Sequence, residues 1–513
     1  MKPLLLGVIL YCLFFHGLGS VGLLGPDEPR FAAIGREMAR SGDWITPRLW
    51  GEPWFEKPAL LYWMTGVGFR AGLNEELAPR LPVALLSVGF LLFYYWILRR
   101  EFNSRAAFFA TAILATSAAW LSFSRVGVTD LPMAATFSAA MLLCLPEIRG
   151  QSSPRLRLTR RDKIGDRQRR PRANNAWDAE ACPRFSGQAT NFRVPAAALL
   201  GLAVLAKGLV PLVLALPLAW ILRRRLAEWL RPAPLAAFLV VAAPWYVLCT
   251  LANGAPFLTD FFLKHHLSRF STDALQHQQP FWFYLPVLLA GLFPWTPLVA
   301  LLFRKSAYQD PRRRFLLLWL LFGLVFFSAS LNKLPGYLLP LVPAASALAG
   351  LALAEMKKAR WALTASALLL LLVPVIAAML PQALSIGLTR ATVSGLRWPL
   401  FLPALALAGL VWWQETTGHR QGAVCSLVAA MTAGVIWLAT TTFPALDRLV
   451  SARGLWRQIA GRANQVCVEE ANRGWLYNLN YYSGLPLPAC GEESRPLQLR
   501  QAPGGAPTLA PWP

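Results

Sequence analysis

Two carboxylates stand side by side near the start of PDEPRFAAIGREMAR (26–40): Asp27 and Glu28, followed by Arg30. A carboxylate beside a guanidinium can orient an acceptor hydroxyl and take its proton, while the guanidinium offers phosphate a bidentate partner. A second charged pair, Glu56 and Lys57, lies in WFEKPALLYW (54–63) just ahead of Pro58, whose ring biases Lys57 toward extended backbone. Four further candidates stand at the edges of apolar runs: Asp130 in VTDLPMA, Lys207 in LAKGLVP, and Lys333 and Tyr337 in NKLPGYLLP. A lysine meets phosphate as a point charge, and Gly208 beside Lys207 allows a ligand to come close. The stretch DFFLKHHLSRFSTDALQHQQPFWFY (260–284) holds His265, His266 and His277, and imidazoles with a carboxylate such as Glu56 could complete a metal site. Each residue also has an ordinary explanation. Asp27 could cap a helix that has Pro29 in its first turn. Glu56–Lys57 could be a surface ion pair worth little, Lys207 a snorkelling lysine, and Tyr337 part of an interfacial aromatic belt.

The elements that must position these residues are membrane helices. The 513-residue chain is 56% hydrophobic and 15% charged, whereas soluble domains carry about 25% charged residues. Apolar runs approaching the roughly 20 residues that cross a bilayer recur from the first residues to about position 440. They are continuous rather than alternating, which excludes a β-barrel along with a soluble, disordered or fibrous chain. The runs predict thirteen spans, at 3–24, 81–98, 106–124, 130–147, 195–206, 208–222, 235–252, 281–303, 315–331, 336–355, 361–380, 399–413 and 423–440. Thirteen spans with the N-terminus inside assign 29 Lys and Arg to cytoplasmic loops, 14 to external loops and 7 to the tail. That bias is the one short cytoplasmic loops show. Merging the fifth and sixth spans into one helix would invert every later loop and destroy it, so Lys207 is expected between two short helices. Lys2 and the small residues Gly17, Gly19 and Ser20 make the first span resemble a signal peptide. It lacks an Ala-x-Ala cleavage pattern and is expected to remain as a helix.

The net charge of +24 is set by this topology and does not indicate nucleic-acid binding. Residues 149–193, with twelve basic and four acidic side chains and almost no apolar periodicity, read as a disordered basic cytoplasmic loop. The expected domains are therefore a transmembrane domain over 1–444, containing a structured external loop at 25–80, and a small external α/β tail over 445–513. Within the loop, Phe31, Ile34 and Met38 recur at helical spacing, the pattern of an amphipathic helix lying at the interface. In the tail, VCVEE and WLYNLNYYSG look like short strands, and an oxidising compartment would permit a disulfide between Cys467 and Cys490. On this topology Asp27, Glu28, Arg30, Glu56, Lys57, Asp130, Lys207, His265, His266, His277, Lys333 and Tyr337 all fall on the external side or at its edge. Ionisable groups beside apolar spans are costly and point to function, so a membrane enzyme with an external active site is the leading expectation.

At this point the residues carry a resemblance. PDEPRFAAIGREMARSGDWITPRLWGEPWFEKPALLYW (26–63), Asp130 in VTDLPMA, LAKG (205–208), HHLSRF with QHQQPFWFY, and NKLPGYLLP follow one another in the order seen in the lipid A aminoarabinose transferases. Those enzymes are part of the GT-C superfamily, which also includes the protein O-mannosyltransferases. The resemblance implies an all-α polytopic GT-C-like membrane protein that takes a sugar from a polyprenyl-phosphate carrier. It further implies an envelope acceptor (a lipid A-like glycolipid, a glycan or a protein) reached on the periplasmic face of a bacterial inner membrane. By position it makes Asp27 the essential loop aspartate, with Glu28 and Asp130 as supporting acidic residues. Arg30, Lys57, Lys207, Lys333 and Tyr337 become donor-phosphate contacts, and Glu56 with His266 a site for a divalent metal such as zinc, magnesium or manganese. The long 149–193 insertion and the short cysteine-bearing tail depart from the family. The competing expectation is a transporter or flippase for the lipid-linked sugar, against which stand the lack of an internal repeat and the gathering of polar residues at one surface.

Overall fold

The computed structural model describes residues 2–152, 192–261, 279–304, 308–502 and 505–512. The segment 153–191, and with it most of the loop expected to be disordered, lies outside them, as do His265, His266 and His277. Six helices among the described residues are long and apolar enough to cross a membrane: Leu77–Glu101, Asp130–Arg149, Pro232–Asn253, Pro335–Glu355, Arg360–Ile386 and Arg420–Thr441. The helices Phe281–Gly291 and Thr296–Phe303, bent by 114°, make a seventh if taken as one span. The chain is thus a mainly helical, multi-pass membrane protein. Several of the expected thirteen spans are short helices, and in the segment after Lys207 proline divides the run. Pro211 and Pro217 sit in the first turns of the short helices Val210–Leu214 and Leu216–Ile221, and a proline inside a helix removes a hydrogen bond and clashes with the preceding turn.

Burial sorts the helices into centre and rim. In both Asp130–Arg149 and Pro335–Glu355, 89% of the apolar window is buried inside the protein, against 17% for Pro232–Asn253. The central helices pack through small side chains, since lipid is as apolar as leucine and close approach must supply the attraction. Helix Val342–Glu355 crosses Ser104–Thr116 so tightly that a Cβ on Gly350 would lie 2.4 Å from the backbone nitrogen of Ala110.

Helix Arg193–Lys207 runs antiparallel to the helix that begins at Asp130, and ion pairs clamp both ends. Arg193 Nη2 meets Glu147 Oε1 at 2.8 Å, and Lys207 Nζ meets Asp130 Oδ1 at 2.6 Å. With a rise of about 1.5 Å per residue the two clamps stand roughly 20 Å apart. Gly208, at φ +73°, then turns the chain back, and Arg225 returns to within 3.7 Å of Glu147. Residues 193–225 are therefore a helical hairpin with Lys207 at its apex. The end opposite the apex is rich in arginine: Arg149 and Arg312 lie 3.5 and 3.6 Å from the buried carboxylate of Glu101.

The segment after the first helix (Lys2–Phe14) is fixed by one buried pair. Glu28 and Arg80 are both almost wholly buried; Glu28 accepts from Arg80 Nε at 2.7 Å and Nη2 at 2.8 Å, and from the backbone N–H groups of Leu24 and Gly127, each at 2.8 Å. Arg80 spends its remaining donors on the carbonyls of Leu18, Val21 and Gly22. Removing one partner strands a buried charge, so Glu28→Ala should cost about 3–5 kcal/mol. Its unfolding temperature in detergent should fall well below that of Asp27→Ala, whose half-exposed carboxylate belongs to a pair worth less than about 1 kcal/mol. Equal melting of the two variants would refute this structural role for Glu28.

The tail forms a three-stranded sheet of order β3–β4–β5, from Val466–Glu470, Leu497–Gln501 and Pro507–Pro511, the first pair parallel and the second antiparallel. (β1 and β2, Arg48–Leu49 and Glu52–Pro53, make a small hairpin near the N-terminus.) VCVEE is a strand as expected, but WLYNLNYYSG is not. It is most of a helix, Arg473–Ser483, whose N-cap Asn472 accepts from Trp475 N and whose C-cap Gly484 is left-handed. Its apolar residues Trp475, Leu479 and Tyr482 are buried at helical spacing, which outweighs the strand preference of tyrosine and tryptophan. Cys467 and Cys490 are disulfide-bonded, closing the loop that contains this helix. The tail docks on the N-terminal segments. Arg36 Nη2 donates to Tyr481 O at 2.6 Å, Tyr481 Oη to Glu75 O at 2.8 Å, and Asn478 Nδ2 to Gly25 O at 3.1 Å.

Candidate functional site

Helix Asp27–Ser41 buries Phe31, Ile34 and Met38, which turns Arg30 inward and leaves Asp27 half exposed. Asp27 does not cap this helix: Pro26 holds the cap position, without a side-chain hydrogen bond, and Asp27 Oδ1 accepts from Arg30 Nη2 at 2.5 Å. Arg30 is only 3% exposed. Its Nη1 meets Glu56 Oε2 at 2.9 Å, and Glu56 Oε1 lies 3.4 Å from Lys57 Nζ. Asp27, Arg30, Glu56 and Lys57 thus form one chain of alternating charge. Burial opposes the charge on Arg30, but Glu56 and then Asp27 outweigh it, holding the guanidinium above its ordinary value. The ring centroids of Phe31, Trp54 and Tyr477 lie 5.2, 5.6 and 5.6 Å from the guanidinium carbon, so the cation is held by aromatic faces as well as carboxylates.

A second cluster is built from helix ends. Lys207, at the hairpin apex, bonds Asp130 and lies 4.8 Å from the centre of the Tyr337 ring. The neighbouring Gly336 is necessary for this approach, because a Cβ there would lie 2.7 Å from Asp130 Oδ1. The two clusters are joined through packing. Phe55 and Ala59, which flank Glu56 and Lys57, share a buried cluster with Leu205, two residues before Lys207. Glu28, beside Asp27, holds Gly127, three residues before Asp130. Carboxylates and fixed cations therefore adjoin at one end of the bundle, an arrangement able to hold an anionic leaving group while a half-exposed carboxylate receives a second substrate.

Asp27, Arg30, Glu56 and Lys57 come together as one group and Asp130, Lys207 and Tyr337 as another. Glu28 stands beside them with all its contacts directed into the scaffold. Lys333 is nearby in sequence but is buried, its ammonium donating to the carbonyls of Ser330 and Gln279 at 2.5 and 2.9 Å. It thereby satisfies the end of helix Pro311–Ala329. His266 lies outside the described residues, and among the described residues no group of three or more His, Cys, Asp or Glu gathers as a metal-binding set. Sequence reasoning missed Tyr477 and Trp54 against Arg30, and Trp50 stacked on Tyr477 at 5.5 Å. The only signal was the density of aromatic residues in WLYNLNYY and in RLWGEPWF.

Residues 56–154 match the family described as dolichyl-phosphate-mannose-protein mannosyltransferase. The chain is 33% identical over 368 residues to undecaprenyl phosphate-alpha-4-amino-4-deoxy-L-arabinose arabinosyl transferase 2 of Pseudomonas fluorescens strain Pf0-1, a match covering 69% of this chain and 59% of that protein. It is 32% identical over 352 residues to the corresponding transferase of Pectobacterium atrosepticum, covering 66% and 57%. The match thus spans less than two thirds of the length of these relatives. In fold, the chain is similar to the crystal structure of ArnT from Cupriavidus metallidurans bound to undecaprenyl phosphate. The TM-score is 0.68 at 23% identity, covering 95% of this chain and 85% of that one.

Proposed function

Because the chain resembles the lipid-carrier aminoarabinose transferases in sequence and shares the GT-C fold of ArnT, we propose that it is an inverting glycosyltransferase. It moves a sugar, a pentose of the aminoarabinose kind, from undecaprenyl phosphate to a lipid A-like envelope glycolipid. The observation that carries this is that the Asp27–Arg30–Glu56–Lys57 chain and the Asp130–Lys207–Tyr337 cluster are joined by the packing of Phe55 and Ala59 with Leu205 and by the bond from Gly127 to Glu28. A polyprenyl carrier keeps its hydrocarbon in the bilayer and its phosphate at the helix ends, where Lys57, Lys207 and Arg30 supply fixed positive charge.

In the proposed step an acceptor oxygen forms a bond to the anomeric carbon. The bond from that carbon to the carrier phosphate breaks, and the electron pair leaves with the phosphate. Preorganised cations stabilise the negative charge that develops there. Where the acceptor oxygen is a hydroxyl, Asp27 takes its proton; where it is already a phosphate, Asp27 orients it. Glu28 and Lys333 act as positioning residues. Glu56, should His266 join it, would be the carboxylate able to hold a divalent metal, which would add positive charge beside the leaving phosphate. The arginine-rich end of the bundle, on the reasoning that positive loops stay inside, supports a cytoplasmic assignment for that end. The site then opens to the periplasmic face of the inner membrane.

The test is direct. The full chain in lipid nanodiscs, supplied with undecaprenyl phosphate-α-4-amino-4-deoxy-L-arabinose and lipid A, should yield lipid A heavier by one aminoarabinose residue in the mass spectrum. Carrier movement across proteoliposomes without any transfer would favour the flippase reading instead.

A further inference from the structure

Three N–H donors near Arg30 are shut off from solvent and lack an acceptor: Arg30 Nε, Trp50 Nε1 and Trp54 Nε1. Arg30 is a nearly fully buried side chain, and buried donors are almost always paired. Here three unpaired ones gather around the Arg30 guanidinium and the Tyr477 ring. The guanidinium carbon of Arg30 lies 5.6 Å from that ring's centroid, and Trp50 stacks on the ring at 5.5 Å with 29° between the planes. Trp54 closes the group, its ring centroid 5.6 Å from the same guanidinium.

Trp50 reaches this position at a cost. It occupies the turn between β1 and β2 with φ +56°, followed by Gly51 at +88°. Two positive φ values in a two-residue hairpin suit asparagine and glycine, not a bulky indole. Tyr477 arrives from the other direction, on the helix Arg473–Ser483 inside the disulfide-closed loop of the tail.

We propose that Trp50, Trp54 and Tyr477 form the subsite for the acceptor's sugar ring, so that the tail contributes a specificity-determining residue to the transferase site. The proposal rests on the glycosyltransferase reading above and assigns the acceptor side of that same site. Aromatic faces are electron-rich and receive the slightly positive C–H face of a pyranose. The indole N–H groups of Trp50 and Trp54 then find acceptors in its hydroxyl, ring or phosphate oxygens. The donor is the less suitable occupant, because its phosphate is held at Lys57, Lys207 and Arg30 among the helix ends and its hydrocarbon stays in the bilayer. Trp50 and Tyr477 stand on a hairpin and a tail helix outside the spanning helices, where a glycolipid headgroup projects.

The test uses the full chain in nanodiscs and two separate probes: the β-1,6-glucosamine disaccharide bisphosphate, and undecaprenyl phosphate. Tyr477→Ala should weaken disaccharide binding by about tenfold while undecaprenyl phosphate binding stays within twofold, and Tyr477→Phe should retain most of the affinity. Trp50→Leu should weaken the disaccharide in the same selective way. Failure of the unaltered chain to bind the disaccharide, unchanged binding in Tyr477→Ala, or loss of undecaprenyl phosphate instead would each overturn the assignment. Binding of both probes without any sugar transfer would leave this subsite standing and count against the transferase reading, so the two failures are distinguishable.

Discussion

Asp27→Asn should lower the rate of sugar transfer by about 10²–10⁴-fold, the contribution usual for a positioned acid or base. Folding and membrane insertion should be untouched. The side chain is half exposed and its pair with Arg30 is one of two that Arg30 makes, so the amide substitution removes a charge without opening a cavity. Arg30 keeps Glu56 at 2.9 Å and stays in place. What is lost is the carboxylate: Oδ1 is committed to Arg30, and Oδ2 is left to meet an acceptor. Turnover by the purified variant, with product counted by mass, checks the claim, and melting temperature serves as the control. The size of the effect also reports on the acceptor. An acceptor phosphate is already ionised and needs orientation more than deprotonation, so it predicts the lower end of the range; a hydroxyl predicts the upper end. Full activity in Asp27→Asn would remove Asp27 from the mechanism altogether.

Local patterns made part of this site legible. Asp27 and Arg30 are three apart on a helix whose buried residues recur at helical spacing, so their meeting follows from the sequence. The two short helices around Lys207 were readable from charge bias, because the alternative would have misplaced every later arginine. Contacts across large sequence separations were not readable. Nothing in LAKG announces that Lys207 will bond Asp130, 77 residues earlier, nor that Glu28 will be consumed by Arg80, 52 residues later. Two adjacent carboxylates thus divide, one half exposed at the site and one sealed inside the scaffold. Lys333 shows a related limit: a lysine at a span boundary reads as a free charge until the carbonyls it serves are known. The tail helix was misread because its aromatic residues favour a strand locally, while Asn472 and Gly484, which cap it, are weak signals until the buried face is known. Tyr477 was beyond reach for both reasons at once, being on a misread element and meeting Arg30 across 447 residues of chain.

The second large effect is expected at the hairpin apex. Lys207→Met should lower kcat/KM for the lipid-linked donor by about 10²–10³-fold, the loss seen when one preorganised donor to a developing anion is removed, and Lys207→Arg should recover part of it. Asp130 makes the comparison informative, because its carboxylate holds the ammonium at 2.6 Å while Tyr337 lies beneath. If Asp130 serves only to aim Lys207, then Asp130→Asn should be harmful alone but add nothing in the double variant, since residues sharing one interaction are not additive. If Asp130 contacts the sugar itself, the two losses should multiply. Donor and acceptor KM measured separately for the four proteins decide between these, and an undecaprenyl phosphate binding assay isolates the carrier's share. A Lys207→Met enzyme with near-normal donor kinetics would leave the leaving phosphate to Arg30 and Lys57 alone, and would make the hairpin clamp a purely structural device.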